Sequence, residues 1–236
     1  PLVLSYAVIT ENSVELYMDE TKLSSEIRSA LEADGVALHP YNEIYEDIKK
    51  AGDGEALLLD PDRLNYALYN NIPEHVIKIE ARNPEILFKA VKNKTEIENI
   101  RKAEIKDSVA HVKFMKWLKE NYDKEVITEM SASDKLDEFR TEQGNFIRPS
   151  FAPISSYGEH GAIVHYSSTP ETNVQLKAGG FLMTDTGAGF YEGSTDITRT
   201  YALGEVTPLM KEHFTLVAVS NLRLADAKFL KGCTGV

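Results

Sequence analysis

GGFLMTDTGAGFYEGSTDITRTYALG, residues 179–204, sets two aspartates, Asp185 and Asp196, in a ribbon of apolar, hydroxyl-bearing and glycine residues. Alternation on either side of the glycines reads as two strands joined by a turn. Ten residues separate the aspartates, which fits three-residue arms around a four-residue loop at Gly189–Glu192. That register makes them direct cross-strand neighbours, with Cβ atoms about 4.5–5.5 Å apart. Facing carboxylates repel, and on the apolar side of a ribbon they also lose hydration. Either one takes up a proton or a cation sits between them. Hard oxygen ligands without cysteine favour manganese, magnesium or calcium over a structural zinc, and two such ions about 3.5–4 Å apart can share a bridging carboxylate. On spacing alone, aspartates near a hairpin are more often turn formers or solvated surface charges.

Upstream, two helical patterns lead into this ribbon. NKTEIENIRKAEIKDSVAHVKFMKWLKENY opens with Thr95 and Glu98 at capping-box spacing. It carries Ile97, Ile100, Ile105, Val109, Val112, Met115 and Leu118 in helical rhythm. TEMSASDKLDEFRTEQG follows, with Thr128 as N-cap, Leu136 and Phe139 on one side and Gly144 at its end. PSFAPISS and AIVHY then read as strands flanking YGEHG. After the ribbon, a helix is expected from about Pro208 to Leu230.

Residues 1–84 have a different texture, with short β-rich and helical runs alternating. LVLSYAVI and SVELYM flank the turn TENS, and TKLSSEIRSALEADG places Leu23, Ile27 and Leu31 at helical spacing before Gly35. VALH, YNEIYEDIKKAG, EALLLD, PDRLNYALYNN and HVIKIEA continue the alternation. The expected class is therefore α/β (α+β): a small α/β domain over 1–84, then two helices and an antiparallel sheet over 85–236.

Net charge is −11, with Lys and Arg scattered, so the basic footprint of a nucleic-acid binder is missing. No run reaches the roughly 20 apolar residues of a membrane-spanning helix. The single cysteine, Cys233, cannot form an intrachain disulfide, and no basic leader opens the sequence; a cytoplasmic location is expected.

TDTGAGFYEGSTDITRTYALGEVTPLMKEHFTLV resembles the metal-binding hairpin of the creatinase/aminopeptidase superfamily, in particular Xaa-Pro aminopeptidases of the aminopeptidase P type. KAVKNKTEIENIRKAEIKDSVA, TEMSASDKLDEFR, PISSYGEHGAIVHY and PETN resemble further segments in the same order. The resemblance implies a creatinase-N-like domain followed by the first half of a pita-bread catalytic domain. It also implies a dinuclear centre of divalent ions, usually manganese, with Asp185 on one ion and Asp196 bridging both. The implied reaction is hydrolysis of the bond before a proline at the second position of a peptide. His165 maps onto a histidine near the scissile bond; without the resemblance, a histidine amid Ile163, Val164 and Tyr166 reads as a core residue. His39, His75, His111, His160 and His213 are read as surface or packing residues. Thr198 and Thr200 share the side-chain direction of Asp196 and could offer hydroxyls near the centre, although β-propensity explains them equally well.

The family's remaining ligands, a histidine and two glutamates, have no counterpart after the hairpin, where Glu205, Glu212 and His213 stand at positions without a family role. Phe190 and His160 depart from the family's usual tyrosine and asparagine. The chain is therefore expected to be an excised piece, inactive by itself and prone to self-association, with a homodimer suggested by family analogy. A prolidase-type dipeptidase and a non-catalytic binding protein on the same scaffold are the alternatives. Creatinase is disfavoured, because it lacks the paired aspartates.

Overall fold

A computed structural model describes residues 3–235. Leu2, which opens the expected LVLSYAVI run, and the end residues Pro1 and Val236 lie outside the described residues. The chain divides into two units, Pro1–Val91 and Lys92–Val236. Among the described residues no helix is long and apolar enough to cross a membrane.

In the first unit, β1 (Ser5–Ile9) and β2 (Val14–Met18) form the expected hairpin. The Thr10 hydroxyl caps its turn by accepting from the amides of Asn12 (3.2 Å) and Ser13 (3.0 Å). α1 (Ser25–Ala33) carries the chain to β3 (Val36–Pro40), which joins β2 in parallel. Ser24 caps α1 by accepting from the Ile27 amide, and Gly35 turns the chain out of it at φ 83°. The helix expected at YNEIYEDIKKAG is broken into two 3-10 turns around a short α2 (Ile44–Asp47). β4 (Ala56–Leu59) and β5 (Ile77–Glu80) pair in parallel across α3 (Tyr66–Asn71). α4 (Glu85–Ala90) closes the unit. Tyr17, Ile44 and Leu68 form one buried cluster, and Leu59, Ile72 and Val76 another.

The second unit begins with α5 (Lys94–Asn121) and α6 (Glu129–Thr141). The α5 capping box is Asn93 with Glu96, two residues earlier than the expected Thr95 and Glu98. Asn93 is extended (ψ 174°), so its side chain reaches back over the first turn, whereas Thr95 already lies inside the helix. The buried face of α5 also differs from the expected apolar stripe. Ala103, Asp107, Ala110, His111, Phe114 and Leu118 point inward, while Ile105 and Val112 are more than 60% exposed.

β6 (Phe146–Pro149), β7 (Ile154–Tyr157), β8 (Gly180–Thr186), β9 (Ala188–Phe190), β10 (Gly193–Ser194) and β11 (Ile197–Leu203) form two antiparallel three-stranded sheets, ordered β11-β8-β7 and β10-β9-β6. The core lies between helices and sheet, where Phe114, Leu118, Leu136, Leu182, Tyr201 and Leu203 come together. α7 (Pro208–Ala225), capped by Thr207, ends five residues short of the expected Leu230 and buries none of its residues.

Candidate metal centre

β8, β9, β10 and β11 are one ribbon: Thr198 faces Asp185 in one ladder, Gly193 faces Phe190 in the other, and both pairings belong to the same register. The turn is therefore Tyr191–Glu192 alone, two residues instead of the expected four. This slips the register by two, so Asp185 faces Thr198, and Asp196, one step beyond the last ladder pair, falls opposite Gly187. A two-residue slip preserves side-chain parity. The aspartates remain on one face as diagonal neighbours, with a Cβ separation of roughly 7 Å in place of direct opposition.

That face is the one turned away from the core. Leu182, Thr184 and Thr186 of β8 and Ile197, Tyr201 and Leu203 of β11 are buried; Asp185 is half-buried and Asp196, Thr198 and Thr200 are exposed. The apolar side expected for the aspartates is thus occupied by their neighbours. Thr198 and Thr200 do share the face of Asp196. Among the described residues neither aspartate side chain has a hydrogen-bond or ion-pair partner. Arg199 turns its guanidinium to the Thr198 carbonyl (2.7 Å). Two hard-oxygen donors with free lone pairs on one face suit a divalent ion. No third His, Asp or Glu among the described residues gathers with them, so they supply only part of a ligand set.

Beneath this face lies a buried charge network that the sequence reading missed. Asp107 is 0% and Arg140 is 1% exposed. Asp107 accepts from Arg140 Nε (2.8 Å) and Nη2 (3.2 Å), and also from the Thr195 hydroxyl (2.5 Å). Arg140 Nη2 also donates to the Thr186 hydroxyl (2.9 Å). Thr186 follows Asp185 and Thr195 precedes Asp196, so one ion pair between α5 and α6 ties down both strands beside the carboxylates. Beside it, His111 Nδ1 lies 3.1 Å from the Tyr201 hydroxyl. Burial lowers the His111 pKa to about 4; the Asp107 carboxylate opposes that shift, and Arg140 and Arg199 add to it. The signal was present as a charged residue, Asp107, in helical register with Ala103, Ala110 and Phe114.

Gly187 is the other fixed point. A Cβ there would lie 2.1 Å from both the Thr195 carbonyl oxygen and Ser150 Oγ. Ser150 staples this crossing, its amide donating to the Gly187 carbonyl (3.0 Å) and its hydroxyl to the Thr195 carbonyl (2.9 Å). The glycine of the TDTGAG stretch is needed for close backbone approach, not for a loop.

His165 is not in a strand. The segment expected as AIVHY is the end of a 3-10 turn (Gly158–Ala162) followed by an irregular loop. Ile163 is 52% and Val164 84% exposed, and His165 itself is exposed with φ 57°. A core role for His165 is therefore excluded. Among the described residues no hydrogen bond joins it to either aspartate.

Residues 98–235 match the model of metallopeptidase family M24, and residues 1–96 match that of the creatinase/prolidase N-terminal domain. Over 246 aligned residues the chain is 34% identical to the probable Xaa-Pro aminopeptidase P of Sordaria macrospora, covering all of this chain and 40% of that protein. It is 36% identical to Xaa-Pro aminopeptidase 1 of Dictyostelium discoideum, covering 97% of this chain and 37% of that protein. Among solved structures, an X-prolyl aminopeptidase from Caenorhabditis elegans, described as a cytosolic enzyme with a di-nuclear active site, superimposes with a TM-score of 0.80 at 28% identity, over 88% of this chain and 35% of that one. The chain thus spans about two fifths of the length of these curated relatives.

Proposed function

The chain belongs to metallopeptidase family M24, and from that footing we propose that it is the part of a metal-dependent Xaa-Pro aminopeptidase that holds the second non-catalytic domain and the first half of the catalytic domain. The complete protein removes the N-terminal residue from peptides with proline second. The observation that carries this reading is the pair Asp185 and Asp196: two carboxylates presented on one face with no partner among the described residues, on strands locked from below by Asp107 and Arg140. Free lone pairs on an immobilised frame are what a metal site requires of its ligands.

Asp185 would hold one ion and Asp196 would bridge both. The all-oxygen pair suits manganese, magnesium or calcium, and the family resemblance selects manganese among them. When bound, such ions supply Lewis acidity and an activated water. The chain's own residues do the rest. Thr198, facing Asp185, and Thr200 offer hydroxyls on the same face, which can orient the carboxylates. His165, on an exposed loop, can donate a hydrogen bond to the oxygen that gains charge at the scissile carbonyl. A cytosolic location and a homodimer complete the proposal.

The test is hydrolysis of a peptide with proline second by the complete polypeptide, with and without Mn2+. Turnover that depends on the ion supports the reading, and no turnover in either condition removes it. A prolidase-type dipeptidase would cleave only the Xaa-Pro dipeptide and leave longer peptides intact.

A further inference from the structure

Glu129, in the first turn of α6, is fully buried. Its Oε1 accepts from the Tyr157 amide (2.6 Å) and from His160 Nδ1 (2.9 Å), and its Oε2 accepts from the Tyr166 hydroxyl (3.0 Å) and the Ser168 hydroxyl (3.0 Å). These four donors occupy the acceptor positions a carboxylate offers. They come from one segment, two from its start at Tyr157 and His160 and two from its end at Tyr166 and Ser168. His165 lies between them.

Beyond Glu129 the segment is held near its ends, by Ser168 Oγ donating to the Ser155 carbonyl (3.1 Å) and the Tyr166 hydroxyl lying 3.1 Å from Thr172 Oγ1, whereas residues 161–165 between them have no such side-chain anchor among the described residues. Its internal backbone bonds are short-range, from Ile163 to His160 and from Tyr166 to Ile163. Ile163 and Val164 are both exposed, at 52% and 84%, and join no buried cluster among the described residues. Yet His165 keeps φ 57°, a left-handed conformation uncommon for a residue with a side chain, although histidine adopts it more readily than most. The constraint arrives through Tyr166, the next residue. Its ring lies tilted against His160 with centroids 4.5 Å apart, and its hydroxyl reaches both Glu129 Oε2 (3.0 Å) and Thr172 Oγ1 (3.1 Å).

We propose that Glu129 is a positioning residue for His165: its buried carboxylate clamps both ends of residues 157–168 and so fixes the backbone from which the His165 ring projects. The part assigned to His165 in catalysis rests on the peptidase reading above; the clamp itself does not.

The test uses the complete polypeptide and two readouts. The first is amide exchange over residues 158–166, which needs no activity. Glu129→Gln keeps one acceptor oxygen and loses the other, so exchange in the loop is expected to rise by about tenfold or more while exchange in α5 stays as in the wild type. Tyr166→Phe removes one donor, disturbs the fold least and gives a smaller rise confined to the same loop. Should Glu129→Gln fail to fold, Tyr166→Phe alone decides. Loop exchange unchanged in the folded variants overturns the proposal. The second readout is a kinetic cycle. Glu129→Gln is expected to lower kcat roughly 10- to 100-fold at nearly constant KM, as misplacement of a catalytic group does. In a His165→Ala background the same change should cost less than about twofold, because a residue acting through His165 has nothing left to position. Full, multiplicative losses in that background would show that Glu129 acts elsewhere and overturn the assignment. If the wild type cleaves no Xaa-Pro peptide, the peptidase reading falls, and the exchange data still decide whether Glu129 clamps the loop.

Discussion

Replacing Asp107 with alanine removes the acceptor that holds Arg140 Nε, Arg140 Nη2 and the Thr195 hydroxyl. Arg140, 1% exposed, is left with Asp137 at 3.0 Å and the Thr186 hydroxyl, so a buried guanidinium loses its main counter-ion. Breaking a buried pair from one side costs about 3–5 kcal/mol. With a urea slope of about 2 kcal/mol per molar, the unfolding midpoint should fall by about 2 M. The only tryptophan, Trp117, packs against the core of the second unit, so its fluorescence reports on that unit alone. The control is the double variant Asp107→Leu, Arg140→Met, which removes both charges and should recover most of the loss. A midpoint for Asp107→Ala within about 0.3 M of the wild type, less than 1 kcal/mol on the same slope, would refute the claim that this pair anchors the hairpin. A double variant as unstable as the single would refute the electrostatic explanation.

His111 supplies a pH dependence. The unfolded side chain binds its proton below about pH 6.5 and the folded one only below about 4, so stability present above pH 6.5 is lost as pH falls through that window, by up to about 3 kcal/mol. Urea midpoints at pH 7, 5 and 4 check it, and His111→Gln should flatten that part of the slope; an identical slope in the variant would refute the assignment. Gly187→Ala forces a methyl onto the Thr195 carbonyl and should cost about 1–3 kcal/mol while shifting Asp196, read as a lower midpoint together with weaker Mn2+ binding. Asn93→Ala should cost about 1 kcal/mol by uncapping α5, twice or more the effect of Thr95→Ala. The 236-residue chain by itself should bind Mn2+ weakly and cleave no Xaa-Pro peptide, since two carboxylates leave most of an ion's coordination to water.

The hairpin and both long helices were legible because they follow local rules: period-two alternation, helical spacing, and the cap at Thr128. The errors arose where distant residues decide. Gly189 suggested the start of a loop, yet it pairs with Ser194 on the ribbon, where the Arg148 carbonyl would stand only 3.2 Å from a Cβ. The buried face of α5 was misread because its polar members, Asp107 and His111, are satisfied by Arg140 and Tyr201 from other elements, while isoleucines and valines stand on the open side. The run AIVHY has the composition of a strand, but Glu129 on α6 takes the donors on either side of it and leaves a loop. Side-chain parity survived the misjudged turn length, which is why Asp185 and Asp196 were placed on one face although their pairing was not. The roles given to those aspartates and to His165 came from family resemblance.

The most direct test of the account is Mn2+ titration of the complete polypeptide, followed by electron paramagnetic resonance, on the wild type and on Asp185→Asn and Asp196→Asn. Two coupled ions in the wild type, one site weakened by Asp185→Asn, and loss of the coupling in Asp196→Asn are expected if Asp185 serves one ion and Asp196 serves both. Unchanged stoichiometry and coupling in both variants would contradict it.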